Sequence, residues 1–217
     1  MKDLYQKILS QVTSSGQMFE TRDVVNESGV TFREYINFPD SIRGYLDFLL
    51  LHSDKECIVF EDERYSYEEV FKKSAQTGNA LIQEGIVKGD KVAICMQNNP
   101  EFIFAYLGIV GIGAVCVPLN SWWVPSEVIY GLEHSDAKLI FADKKRMQGL
   151  ESLKNVKKIV TTYTPDKQFR LFSDFIDNQP TTFPEVNIDR DDHATIYYTS
   201  GSTGKPKGVL SSQKAVI

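Results

Sequence analysis

The residues best suited to chemistry lie in one run, Tyr198-Thr199-Ser200-Gly201-Ser202-Thr203-Gly204-Lys205-Pro206-Lys207-Gly208-Val209. Between Thr199 and Gly208 stand three glycines, four hydroxyl side chains and two lysines. Glycine lets the backbone turn sharply and come close to a ligand. Amide N–H groups exposed in such a turn form an anion-binding concavity. Hydroxyls donate to phosphate oxygens, and lysine adds charge. The chemistry this set suits is the grip of a polyphosphate. Spacing excludes two other glycine loops. A Walker A loop needs a second glycine after four intervening residues, and Pro206 stands there after Gly201. The G-x-G-x-x-G of dinucleotide folds is absent. A polar surface loop of the same composition is the alternative on these residues alone.

Something must hold that run in place. Residues 194–199 are apolar and strand-like, and they lead straight into it. Upstream, strands are expected at 57–60, 91–96, 114–119, 138–142 and 158–162. Residues 64–67 pair with 57–60 as a hairpin. Ser66 and Glu69 spell a capping box that opens a helix, and Gly85 closes it. Asn98-Asn99-Pro100 supplies a cap and a first-turn proline for a helix running towards Gly111. Further helices are expected at 126–134, 145–153 and 171–176. Near the start, residues 1–14 form an amphipathic helix with Leu4, Ile8, Leu9 and Val12 on one face. Residues 15–40 read as loop, and 41–51 as helix. Strands alternate with helices, and most strands are apolar without polar alternation. The fold class is therefore α/β, a mostly parallel β-sheet flanked by helices on both faces.

Composition narrows the function. The 217 residues carry 24 Lys+Arg against 29 Asp+Glu, a net charge of -5, with 42% hydrophobic residues. That excludes a disordered chain and a strongly basic nucleic-acid binder. Residues 102–126 contain no charge, enough to raise a membrane span. Gly108, Gly111, Gly113 and Pro118 interrupt them, so a buried helix followed by a buried central strand is expected and no transmembrane segment. Residues 1–4 lack the apolar stretch of a signal peptide, and a cytoplasmic location is expected. Cys57, Cys95 and Cys116 are too sparse for a disulfide framework and read as reduced. His52, His134 and His193 have no metal-ligand spacing and read as ordinary surface or core histidines. Glu61-Asp62-Glu63 reads as a solvated turn. Trp122 and Trp123 are expected to pack against the sheet.

The run from Tyr198 to Gly208 resembles the signature loop of the adenylate-forming (AMP-binding) superfamily, written YTSG(S/T)TGxPKG, at every position. Tyr65-Ser66-Tyr67-Glu68-Glu69-Val70, the 85–92 stretch and the 113–120 stretch resemble other segments of that family, and Asn120-Ser121-Trp122-Trp123 resembles its acyl-CoA synthetase branch. The resemblance implies an ATP-dependent ligase. It would activate a carboxylic acid, fatty in the first instance, as acyl-AMP and pass it to CoA. A ligase for an aryl or amino acid and a non-catalytic nucleotide-binding module are the alternatives. Thr199, Ser200, Gly201, Ser202, Thr203, Gly204 and Lys207 would bind the nucleotide, with Thr199 near Mg²⁺. Tyr198 would position the loop. Residues 1–40, read from their own pattern, are an N-terminal helix and loop, and the resemblance implies 41–217 as the N-terminal α/β part of an AMP-binding domain, truncated after the phosphate-binding loop. The family's ribose- and metal-holding carboxylates and its catalytic lysine are not among these residues. The 217-residue span alone is therefore expected to be inactive, and able to self-associate through apolar surface at its edge. Gln213 stands where family members often carry histidine.

Overall fold

The computed structural model describes residues 2–25, 28–150, 153–161, 169–199 and 204–217. They divide into two units, Met1–Asp40 and Ser41–Ile217. The first holds helix α1 (Lys2–Val12) and strands β1 (Thr21–Val25) and β2 (Thr31–Tyr35). The two strands pair antiparallel from Thr21↔Tyr35 to Val25↔Thr31, which corrects the reading of 15–40 as loop. What binds this hairpin is cross-strand chemistry rather than an apolar period. Arg33 Nε meets Asp23 at 2.9 Å, and the guanidinium holds that carboxyl below its usual range. Phe19 also stacks on Phe38 at 5.9 Å and meets Tyr35 edge-on.

The second unit opens with α2 (Ile42–Leu49), capped by Ser41, whose side chain accepts the Gly44 N–H. A single 3-10 turn, Leu50–His52, follows. Strands β3 (Glu56–Phe60) and β4 (Glu63–Ser66) form the expected hairpin. Helix α3 (Tyr67–Gln83) starts from a complete capping box: Ser66 Oγ accepts the Glu69 N–H, and Glu69 Oε2 accepts the Ser66 N–H at 2.8 Å. It ends at Gly85, whose φ of +85° lets the Ile86 N–H reach the Leu81 carbonyl. Then come β5 (Lys91–Cys95), α4 (Pro100–Gly111), β6 (Val115–Pro118), α5 (Pro125–Ser135), β7 (Ala137–Asp143) and α6 (Lys144–Met147). The chain continues with β8 (Lys157–Thr161), β9 (Arg170–Leu171), α7 (Phe172–Ile176), β10 (His193–Thr199), β11 (Lys207–Ser212) and α8 (Gln213–Val216).

Among the described residues, seven strands form the main sheet in the order β11-β10-β6-β5-β7-β8-β9. All neighbours are parallel except β10 and β11. The strands lack polar alternation because both faces are covered. Val92, Ile94, Leu139 and Phe141 join a cluster with Leu81 of α3 and Ile109 of α4. Their neighbours Ala93, Cys95, Ile140 and Ala142 join a second cluster with Val128 and Leu132 of α5. Fully burying a side chain such as Ile94 or Phe141 contributes about 1.5–3 kcal/mol, so these two clusters carry the stability of the sheet.

The uncharged 102–126 stretch is α4 followed by β6, both largely buried. No helix among the described residues is long and apolar enough to cross a membrane. Gly108 is where α4 touches α3: a Cβ there would lie 2.8 Å from the Ser74 carbonyl oxygen. Three local expectations need correction. Asn99 occupies the α4 N-cap position without a side-chain capping bond, and Pro100 leaves that turn one donor fewer to satisfy. The helix expected over 145–153 stops at Met147, and Gly149 follows with φ +85°; residues 151 and 152 lie outside the described residues, as does Thr162 at the end of the expected 158–162 strand. Strand β11 escapes the sequence reading because it mixes Lys207, Gly208 and two serines with a single apolar pair.

Candidate functional site

The carboxyl ends of the parallel strands β10, β6, β5 and β7 share one edge of the sheet. In open α/β sheets ligands bind along that edge. Strand β10 leaves it at Thr199 and β11 returns at Lys207, and these two are register partners. The two ends of the glycine-rich run therefore lie side by side at the carboxyl edge of the sheet, on two antiparallel strands. Ser200, Gly201, Ser202 and Thr203 lie outside the described residues. Thr199, Gly204, Lys205 and Lys207 are all exposed. Gly204 has φ +102°, with nothing within 4 Å of where a Cβ would sit. A side chain rarely adopts that conformation, so glycine is required and the backbone stays open to a ligand. The arrangement can offer amide donors and two ammonium groups to an anion.

What anchors the hairpin is an aromatic group around Tyr198, the residue expected to position the loop; the support it draws from Tyr130 and His134 is not expected from the sequence. Tyr198 is half-buried on the face shared with α5, and burial pushes its phenol above the usual value. Its Oη shares a hydrogen bond of 2.8 Å with His134 Nδ1 and donates to the Gly131 carbonyl at 3.3 Å. Trp123 meets the Tyr198 ring edge-on at 5.6 Å. Tyr130 stacks on His134 and donates from its hydroxyl to the Pro206 carbonyl at 3.2 Å. Lys205 Nζ lies 5.2 Å from the centre of the Tyr130 ring, a cation–π distance. One turn of α5 thus holds both stems of the loop. His134 and Tyr198 are 64 positions apart, and no local signal in the sequence links them.

Other expected residues fall into place. Trp123 packs as expected, whereas Trp122 is 85% exposed and does not. It directly follows a backbone turn tied by its own N–H to Asn120 Oδ1. Gln213 is fully buried: its Oε1 accepts the Ile42 N–H at 3.0 Å and its Nε2 donates to the Val110 carbonyl. It staples α8 to α2 and α4, a task that needs an amide with both a donor and an acceptor. Cys95 and Cys116 are buried and Cys57 is exposed, all three as free thiols. Among the described residues no group of three or more His, Cys, Asp or Glu could hold a metal ion.

These features define a class, an α/β unit with an anion-suited loop at the carboxyl edge of its sheet. The chain belongs to the AMP-binding enzyme family, whose pattern matches residues 50–217. A 4-coumarate–CoA ligase of Vanilla planifolia is 33% identical over 174 residues, covering 76% of this chain and 32% of that relative. A 3-hydroxybenzoate–CoA/4-hydroxybenzoate–CoA ligase of Thauera aromatica is 31% identical over 170 residues, with the same coverage of 76% and 32%. Among solved structures, the anthranilate CoA ligase AuaEII in complex with anthranoyl-AMP superposes with a TM-score of 0.76 at 27% identity, over 80% of this chain and 35% of that one. The chain spans about a third of the length of the curated relatives it matches.

Proposed function

We propose that this chain is the N-terminal part of an ATP-dependent acid–thiol ligase, which activates a carboxylic acid as its acyl-adenylate and passes the acyl group to CoA. The observation that carries the reading is the complete signature run, Tyr198 to Gly208, on the carboxyl edge of the sheet in a member of this family. Thr199, Ser200, Gly201, Ser202, Thr203 and Gly204 would wrap the phosphates, and Lys207 would add positive charge. Both reactants are anionic and charge builds on the departing pyrophosphate, so preorganised donors matter most. The open backbone at Gly204 and the exposed ammonium groups fit a triphosphate. A resident metal site has no such support among the described residues. Mg²⁺ would arrive with the nucleotide, and Thr199 is the residue proposed to lie beside it.

For the acid, an aryl carboxylate has the better support, because the relatives are named for coumarate and hydroxybenzoate. A fatty acid is the second reading, favoured by the likeness of residues 120–123 to acyl-CoA synthetases. The 217 residues by themselves would offer phosphate contacts, without a metal-holding cluster among those described. We expect them to bind nucleotide weakly and to turn over nothing. ATP–pyrophosphate exchange with a panel of aryl and fatty acids tests this. Exchange supported by residues 1–217 alone would refute the inactivity. In a complete ligase containing this span, Lys207→Ala that leaves ATP affinity and turnover unchanged would refute the loop assignment.

A further inference from the structure

Three turns at the ligand-binding edge are tied together by one ion pair. Asp143, at the end of β7, accepts the Gln97 N–H after β5 at 3.1 Å and the Arg146 N–H at 3.1 Å. Its Oδ2 also meets Arg146 Nη1 at 2.9 Å. Arg146 Nε then donates to the Ser121 carbonyl after β6 at 2.9 Å. The side chains are 8% and 17% exposed, Arg146 and Asp143 respectively. The planar fork of arginine serves the carboxylate and the carbonyl from two separate nitrogens held at a fixed angle. The Ser121 carbonyl belongs to the turn whose next residues are Trp122 and Trp123. Trp123 donates its N–H to the Asn120 carbonyl and sets its ring against Tyr198.

We propose that Arg146 is a positioning residue: through Ser121 and Trp123 it fixes the face on which Tyr198 rests, and so holds the stem of the 199–207 loop. The functional half of this inference rests on the proposed phosphate-binding role of that loop, while the mechanical half does not. Trp122 and Trp123 are the two tryptophans of the chain, so fluorescence excited selectively in tryptophan, beyond tyrosine absorption, reads this turn alone. Amide exchange of Tyr198, Thr199, Lys207 and Gly208 reads the hairpin.

The test compares wild type, Arg146→Gln and Arg146→Lys by fluorescence, hydrogen exchange and MgATP titration. Arg146→Gln should shift tryptophan emission to the red. It should speed exchange about tenfold at whichever of the two adjacent pairs, Tyr198–Gly208 or Thr199–Lys207, is hydrogen-bonded across the hairpin, the effect of one lost charge-assisted hydrogen bond. Exchange in α3 and α4 should not change. Arg146→Lys keeps a charge beside Asp143 without the fork, and should fall between; it serves as the probe should Arg146→Gln fail to fold. Hairpin exchange at the wild-type rate overturns the proposal, as does acceleration spread equally over β5, α3 and α4. If wild type binds MgATP, Arg146→Gln should bind it about tenfold more weakly by the same hydrogen-bond arithmetic, and unchanged affinity also overturns the proposal. A wild-type chain that binds no MgATP sinks the phosphate-binding reading instead, and the exchange data still decide the role of Arg146.

Discussion

Replacing Tyr198 with phenylalanine removes one hydroxyl and leaves the ring against Trp123. The lost oxygen shares a 2.8 Å bond with His134 Nδ1 and donates to Gly131 at 3.3 Å. His134 is exposed, so water replaces the phenol there. The Gly131 carbonyl keeps the Ser135 hydroxyl, which donates to it at 2.7 Å. No buried polar group is orphaned, so the cost is one ordinary hydrogen bond, about 1 kcal/mol. For a domain of this size that lowers Tm by about 2–4 °C. Tyr198→Ala discards the ring as well and should cost about 3 kcal/mol, the low end for aromatic truncation because the site is half-buried. The assay is reversible thermal or urea unfolding of the 217-residue chain, with His134→Ala completing a double-mutant cycle. Removing His134 first should reduce the cost of Tyr198→Phe by about 0.5 kcal/mol or more, as expected of groups in direct contact. A Tyr198→Phe variant as unstable as Tyr198→Ala, or strict additivity with His134→Ala, would refute the aromatic anchor.

Other expectations concern the core. Gly108→Ala places a methyl 2.8 Å from the Ser74 carbonyl and 2.7 Å from Thr77 Cβ. The gain in helix propensity, about 1 kcal/mol, is outweighed by overpacking of about 1–3 kcal/mol, so urea unfolding should show a net loss; a gain in stability would contradict the close α3–α4 contact. Burial pushes the Cys95 thiol up to about 12 from its usual 9.0, and Cys116 moves the same way. The folded state holds these protons more tightly than the unfolded one. Stability from the neutral thiols is therefore full below about pH 9 and lost as pH rises towards 12. The urea midpoint should fall above pH 9, less steeply in Cys95→Ala, and an identical slope in that variant would count against the burial. A thiol reagent at neutral pH should label Cys57 quickly and the other two only on unfolding; fast labelling of Cys95 or Cys116 would contradict the two-sided burial of the sheet.

Much of this architecture can be read from residue order because both faces of the sheet are covered. Residues 92–95 and 115–118 are uniformly apolar, and the two-sided burial of Val92 and Ala93 explains why. The Ser66–Glu69 capping box and Gly85 mark the ends of α3 by local hydrogen bonding, which a short window captures. The β1–β2 hairpin is hidden because charged pairs such as Arg33–Asp23 hold it together, with no apolar period. Strand β11 is hidden because a sheet-edge strand need not be apolar. The signature run is legible as a motif, since its chemistry is local. Its supports are not: Tyr130, His134 and Arg146 act through tertiary contacts, and nothing near them in sequence marks that role. Gln213 is the converse case, a departure from the family pattern that the core explains through its bonds to Ile42 and Val110.

The most direct measurement is a titration of the isotopically labelled chain with MgATP, followed by amide NMR shifts and repeated with Lys207→Ala. The account predicts saturable shifts concentrated at Thr199, Gly204 and Lys207, lost or displaced to much higher ligand concentration in the variant. Saturable shifts that cluster elsewhere on the sheet and leave those three amides unmoved would contradict it.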